Sequence, residues 1–162
     1  LKDRHKKNKL EIMAQSLTEI YLHFIFSTKE RLPFIDSKIE EELHQYICGV
    51  CRNLASPVIK INGIQDHIHL LVRFEKMQSV STFISEVKSS SSRWIKAKGP
   101  QYQEFSWQKG YGCFSISSTN IGGVKKYIEN QKTHHQNISF KEELLWILKR
   151  SQIKYIEKYL FD

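Results

Sequence analysis

Two histidines, His67 and His69, are separated by one residue in the stretch DHIHLLVRF at positions 66–74. Imidazole nitrogens bind divalent metals, and side chains at alternate positions of a strand leave the same face about 7 Å apart at the backbone. Two rings at that separation can converge on one cation. An isolated pair is a short pattern, however, and it fits the half-exposed face of an ordinary strand equally well.

A second set of residues able to do chemistry lies in NIGGVKKYIENQKTHHQ, positions 120–136. Tyr127 and Gln131 are spaced i, i+4 and share one helix face, which His134 continues at i+7. A phenol with a pKa near 10 is a poor nucleophile unless a nearby cation polarises the group it attacks. The two patterns together predict Tyr127 as a nucleophile beside a metal held by the histidine pair. A packed or surface aromatic at Tyr127 and a solvated residue at Gln131 are the structural alternatives.

Hydrophobic periodicity predicts the elements that position these residues. Alternation predicts strands at residues 20–26, 57–62, 67–74 and 105–117. Helical spacing, with a Ser37/Glu40 capping box, predicts a helix that ends before Ser56-Pro57 and a second over residues 80–97. Two further helices are predicted at residues 119–135 and 139–149, the latter with a Ser139/Glu142 capping box.

The order strand, helix, strand, strand, helix, strand is that of the split βαβ, or ferredoxin-like, arrangement. We therefore predict an α+β fold: a four-stranded antiparallel sheet, the first and third strands central, two helices on one face, and additional C-terminal helices that carry the tyrosine. In the third strand Ile68, Leu70, Val72 and Phe74 alternate with the two histidines. Both imidazoles are thus expected on the uncovered face, beside His23 and Tyr21.

Composition limits the class of protein. The net charge of +8 and a pI near 9.4 favour a polyanionic partner such as nucleic acid. No apolar run reaches the length of a membrane span, which predicts a cytoplasmic protein. Three cysteines fit a reducing compartment, and the Cys48/Cys51 spacing lacks the second pair of a structural zinc site. Residues 1–14 are predicted to be a basic extension, disordered or non-native, and residues 15–162 the functional domain.

Five blocks occur in order between about residues 17 and 160: YLHFIFSTKERLPFI, DHIHLLV, FSWQKGYGCFSIS, VKKYIENQKTHH and FKEEL. With them the chain resembles the single-tyrosine transposases of small bacterial insertion sequences, in the HUH (His-hydrophobic-His) endonuclease superfamily. The resemblance implies that His67 and His69 bind Mg²⁺ or Mn²⁺, that Gln131 is an extra ligand and that Tyr127 is the nucleophile. It also implies cleavage and rejoining of single-stranded DNA through a 5′-phosphotyrosine, with DNA hairpins as partners.

The same resemblance implies a homodimer whose active sites can be shared between subunits, and a place at the bacterial nucleoid. Gly122-Gly123, just before the tyrosine, are either a hinge that repositions the tyrosine helix or a loop before it. The alternative function is a non-catalytic nucleic-acid-binding regulator on the same fold. Candidate DNA contacts are, for phosphates, Lys29, Arg31, Lys88 and Arg93, and for stacking, Tyr21, Trp107 and Tyr111.

Overall fold

A computed structural model describes residues 17–160, so the predicted extension at 1–14 lies outside the described residues. The strands are β1 (Tyr21–Ser27), β2 (Val58–Ile64), β3 (His67–Arg73) and β4 (Gly112–Ile116). The helices are α1 (Glu40–Asn53), α2 (Val80–Lys96), α3 (Ile121–Glu129), α4 (Gln131–His134), α5 (Phe140–Arg150) and α6 (Glu157–Leu160). Within the described residues, no helix has both the length and the apolar character needed to cross a membrane.

The four strands form one antiparallel sheet in the order β2-β3-β1-β4. The first and third strands are therefore central, and the predicted α+β architecture is confirmed. One face of the sheet packs against α1 and α2 through the apolar residues of β3, and Ile68, Leu70 and Val72 are all fully buried. The alternation of β3 thus sends its apolar side chains and its histidines to opposite faces, as expected.

The histidine face is covered rather than open, which corrects the sequence expectation. Helix α5 carries an apolar stripe with spacings of 4, 7 and 8 residues, formed by Phe140, Leu144, Ile147 and Leu148. This stripe packs on Ile25 of β1 and Phe114 of β4. An amphipathic helix must bury its apolar face, and the second side of the sheet is the surface available to it. The sheet is therefore sandwiched between two helical layers.

The two predicted capping boxes and the length of the fourth strand can be compared with the structure. Helix α1 begins at Glu40 without the Ser37/Glu40 capping box, and the Asp36 carboxylate accepts the Lys38 amide at 2.9 Å just before it. The Ser139/Glu142 capping box of α5 is confirmed. The fourth strand is limited to Gly112–Ile116.

The tyrosine helix is interrupted at Asn130, between α3 and α4. There the Asn62 side chain of β2 donates to the carbonyls of Ile128 and Glu129, at 2.9 and 3.0 Å. These bonds supply donors to carbonyls at the end of α3, where a helix lacks internal partners. Gly122 and Gly123 lie in the first turn of α3, so the alternative of a loop before the helix is wrong.

Candidate active site

His67 is held in one orientation by an acidic neighbour. Its ring is fully buried, and its Nδ1 lies 2.7 Å from Asp66 Oδ1. The other Asp66 oxygen accepts from Arg31, with distances of 3.1 Å from Nη2 and 3.3 Å from Nε. Burial alone would raise the pKa of the Asp66 carboxyl, but His67 and Arg31 outweigh it and lower the pKa. With Nδ1 donating to this carboxylate, Nε2 is the nitrogen left to bind a ligand.

His69 is paired with a third imidazole on the neighbouring strand. Its Nδ1 lies 3.0 Å from His23 Nε2, and the two rings are stacked with centroids 5.2 Å apart. Burial lowers the pKa of His69 to about 4 and that of His23 to about 3. Both rings are therefore neutral near pH 7, which is the protonation state in which an imidazole binds metal.

Glu143 of α5 lies at the centre of the cluster, and sequence reasoning did not identify it. Its side chain is about 1% exposed. Oε1 accepts hydrogen bonds from the Tyr127 phenol and from Gln131 Nε2, the latter at 3.0 Å. Oε2 lies 3.3 Å from His69 Nε2 and 3.7 Å from His67 Nε2. One carboxylate therefore joins the tyrosine helix to the histidine pair.

His135 of the THH segment completes the cluster. Its Nε2 lies 3.0 Å from Glu143 Oε2, and its Nδ1 lies 2.8 Å from the Ile138 carbonyl. Burial opposes protonation of His135, but Glu143 outweighs it and raises the pKa. Burial alone would likewise raise the pKa of the Glu143 carboxyl, but His135 and His69 contribute to holding it well below its usual range. The two groups therefore lie in direct contact, and each stabilises the charged form of the other.

The arrangement fits a divalent cation. His67, His69, His135 and Glu143 each offer one ligand atom, all within 4.8 Å of one another. In the described part of the chain, four buried side-chain atoms lack a hydrogen-bond partner, and three of them are His67 Nε2, His69 Nε2 and Gln131 Oε1. An unpaired buried polar group costs about 1–3 kcal/mol. A ligand bound by these atoms would remove that cost. Imidazole nitrogens together with carboxylate and amide oxygens suit Mn²⁺ and, with fewer nitrogens, Mg²⁺.

Tyr127 is half-buried and lies against the same histidines of its own chain. Its ring centroid is 5.7 Å from that of His69 and 6.4 Å from that of His23. Burial and the negative charge of Glu143 raise the pKa of the phenol above its usual value. In this arrangement the phenol is protonated at neutral pH. The predicted shared face of Tyr127 and Gln131 is present, because both side chains bond to the same carboxylate oxygen.

The predicted DNA contacts lie in several environments, and one of them, Arg31, touches this cluster through Asp66. Lys88 Nζ donates to the carbonyls of Gln108, Lys109 and Gly110, and burial lowers its pKa to about 8. Three further positions make side-chain hydrogen bonds within the chain: Arg31 to Asp66, Arg93 to Ser90 and Tyr21 to Glu19. Lys29 is exposed.

The two remaining aromatic candidates for base stacking differ in exposure. Trp107 is buried and packs between Phe26 and Phe105, so it offers no face to a base. Tyr111 is 41% exposed.

Two sequence signals could have identified more of the site. Glu143 falls between Phe140 and Leu144 on the apolar stripe of α5, and a carboxylate inside a buried stripe calls for a partner. His135 directly follows His134, the residue singled out by spacing. Asp66 precedes His67 in sequence, and its role depends on a turn geometry that strand periodicity does not specify.

Comparison with known proteins finds a matching family and a similar transposase. Residues 16–131 match the model of a family described as IS200-like transposases. The ISDra2 transposase TnpA of Deinococcus radiodurans is 24% identical over 118 residues, which cover 70% of this chain and 84% of that protein.

Two solved structures share the fold. A putative transposase from Deinococcus radiodurans has a TM-score of 0.58 at 20% identity, over 72% of this chain and 93% of that one. A REP-associated tyrosine transposase bound to a REP hairpin has a TM-score of 0.56 at 14% identity, over 78% and 76% of the two chains.

Proposed function

Since the chain belongs to the family of IS200-like transposases, we propose that it cleaves and rejoins single-stranded DNA through a covalent bond to Tyr127, using a divalent metal held by His67 and His69. The observation that carries the proposal is the convergence of ligand atoms of His67, His69, His135 and Glu143, all within 4.8 Å of one another, with the Tyr127 phenol bonded to Glu143. The proposed transposase domain is residues 15–162, of which the family match covers 16–131.

The proposed reaction conserves phosphodiester bonds. Tyr127 Oη forms a bond to the scissile phosphorus, and the bond from phosphorus to the 3′-oxygen breaks. The phenol loses its proton, the departing oxygen gains one, and the products are a 5′-phosphotyrosine and a free 3′-hydroxyl. A later 3′-hydroxyl attacks the phosphotyrosine in the reverse sense and releases Tyr127, so no ATP is required.

Each residue of the cluster has a separate task in this scheme. His67, oriented by Asp66, and His69, kept neutral by burial, present Nε2 to the cation. Gln131 Oε1, Glu143 and His135 are the further groups able to bind it. A bound Mg²⁺ or Mn²⁺ supplies Lewis acidity that polarises a phosphate oxygen and favours the ionised phenol. Glu143 also holds the Tyr127 hydroxyl beside the histidines.

The proposed partner is single-stranded DNA with hairpins, acted on at the bacterial nucleoid in the cytoplasm. The basic net charge of +8 supports a polyanionic ligand, and one structural neighbour was solved on a hairpin. A homodimer remains part of the proposal. Because Tyr127 already lies against His69 of its own chain, the geometry favours an active site assembled within one subunit.

A denaturing gel tests the proposal. Single-stranded oligonucleotides that span both ends of the native locus are incubated with Mn²⁺ or Mg²⁺ and the wild type, Tyr127→Phe, or the double variant His67→Ala/His69→Ala. We expect a covalent protein–DNA adduct only with the wild type and metal. An adduct that persists in Tyr127→Phe would assign another nucleophile. Tight hairpin binding without any adduct would instead favour the non-catalytic regulator. Circular dichroism controls for folding of each variant.

A further inference from the structure

Two grooves flank the candidate nucleophile and meet at one exposed aromatic. A groove of about 550 Å³ is lined by Tyr127, His134, Ile138, Glu142, Glu143 and Trp146. A second, of about 400 Å³, includes Tyr127 and Trp146 again, together with Asn120, Arg150 and Ser151. The two residues common to both grooves are Tyr127 and Trp146. A strand whose scissile phosphate reaches Tyr127 therefore has an open path on either side of it, and Trp146 lies where the two paths join.

Trp146 has the features of a stacking surface. Its side chain is 55% exposed, whereas Phe140, Leu144, Ile147 and Leu148 of the same helix pack on the sheet. The Arg150 guanidinium lies 5.3 Å from the centre of the Trp146 ring, so a fixed positive charge accompanies the ring. Both residues lie on α5, beyond the residues 16–131 that match the transposase family.

We propose that Trp146 and Arg150 form a subsite for the nucleotide next to the scissile phosphate, with an unstacked base on the Trp146 ring and its phosphate against Arg150. The inference rests on the proposed function of Tyr127. Bases of any sequence stack on an aromatic face, so this subsite binds single-stranded DNA without selecting a base. Duplex DNA keeps its bases stacked on one another and cannot use the ring.

The charges of the two grooves determine where each part of the nucleotide lies. Glu142 and Glu143 line the first groove, and carboxylates repel a phosphate. Ile138, 38% exposed in that groove, instead offers apolar surface to a base. Arg150 lines the second groove, where Asn120 and Ser151 add polar groups. The base therefore lies towards Ile138 and the phosphate towards Arg150.

Binding is measured by fluorescence anisotropy in EDTA, where no cleavage occurs, with fluorescein-labelled (dT)₁₂ and an abasic strand of the same length. The variants are Trp146→Ala, Trp146→Phe and Arg150→Gln. Trp94→Ala is the matched control, because Trp94 stacks on Tyr46 in the helical layer on the other side of the sheet.

We expect Trp146→Ala to weaken (dT)₁₂ binding about 5- to 100-fold and to leave abasic binding unchanged, since stacking on one aromatic contributes this much. Trp146→Phe should retain most of the affinity. Arg150→Gln should weaken both strands and reduce the salt dependence by about one phosphate contact. Trp94→Ala should bind like the wild type. A 5-bromouracil strand should crosslink to the tryptic peptide that contains Trp146.

Three outcomes overturn the inference. Equal (dT)₁₂ affinity of Trp146→Ala and wild type removes the subsite. If Trp146→Ala loses as much affinity for the abasic strand as for (dT)₁₂, the ring has no stacking role. If light scattering shows that Trp146→Ala converts a dimer to a monomer with unchanged affinity per subunit, the surface is an interface between copies of the chain. The adduct assay with Tyr127→Phe is done separately and tests the proposed chemistry alone. Failure of that chemistry is therefore distinguished from failure of this subsite.

Discussion

The hydrogen bond from His67 to Asp66 predicts how much metal affinity depends on Asp66, which is not one of the proposed metal ligands. The two side-chain atoms are 2.7 Å apart, His67 is fully buried and the Asp66 side chain is 12% exposed. A charge-assisted bond in such surroundings contributes about 1.5–3 kcal/mol. Since every 1.4 kcal/mol is a factor of ten, Asp66→Ala should weaken metal binding by roughly 10- to 100-fold.

The assay is a Mn²⁺ titration followed by electron paramagnetic resonance, which measures free metal without requiring DNA cleavage. Asp66→Asn separates charge from geometry, because an amide oxygen can still accept from His67 Nδ1. We expect its affinity to fall between those of the wild type and Asp66→Ala. Adduct yield at saturating Mn²⁺ should recover in both variants, because neither substitution removes a ligand or Tyr127.

Arg31 provides the matched control, since it contacts the same carboxylate from outside. Its side chain is 34% exposed, so its ion pair with Asp66 should contribute less than about 1 kcal/mol. Arg31 has a φ of +57°, and asparagine tolerates that backbone conformation, so the variant is Arg31→Asn. We expect a less than fivefold change in Mn²⁺ affinity. Unchanged Mn²⁺ affinity in a folded Asp66→Ala variant, or equal losses in Asp66→Ala and Arg31→Asn, would refute the reasoning.

Two other substitutions test the surroundings of the site. Glu143→Gln should lower the pKa of the Tyr127 phenol, because it removes the negative charge that favours the protonated form; the ¹³C shift of Tyr127 Cζ followed against pH measures this, and an unchanged or higher pKa would contradict it. Lys88→Met should reduce the free energy of unfolding in urea by about 1–3 kcal/mol, because the carbonyls of Gln108, Lys109 and Gly110 lose a half-buried donor. Loss of DNA affinity with unchanged stability would instead support Lys88 as a phosphate contact.

Local periodicity of the sequence determined which side chains share a face of a strand or helix. The alternation of residues 67–74 separates the histidines from Ile68, Leu70 and Val72, because successive side chains of a strand point to opposite faces. Helical spacing likewise assigns Tyr127 and Gln131 to one face. The order of strands and helices specifies the split βαβ sheet, because few topologies accommodate that order.

Packing between segments that are distant in sequence determined which faces of these elements meet. Helix α5 closes over the histidine face and brings Glu143 to the two imidazoles, although Glu143 lies 74 positions after His69 along the chain. Periodicity predicts that α5 has a face to bury, but it does not specify which side of the sheet receives that face. The same packing leaves Trp146 exposed beside Tyr127 while its neighbours Ile147 and Leu148 are buried. A sequence pattern defines faces within an element, and only the tertiary structure sets which faces meet.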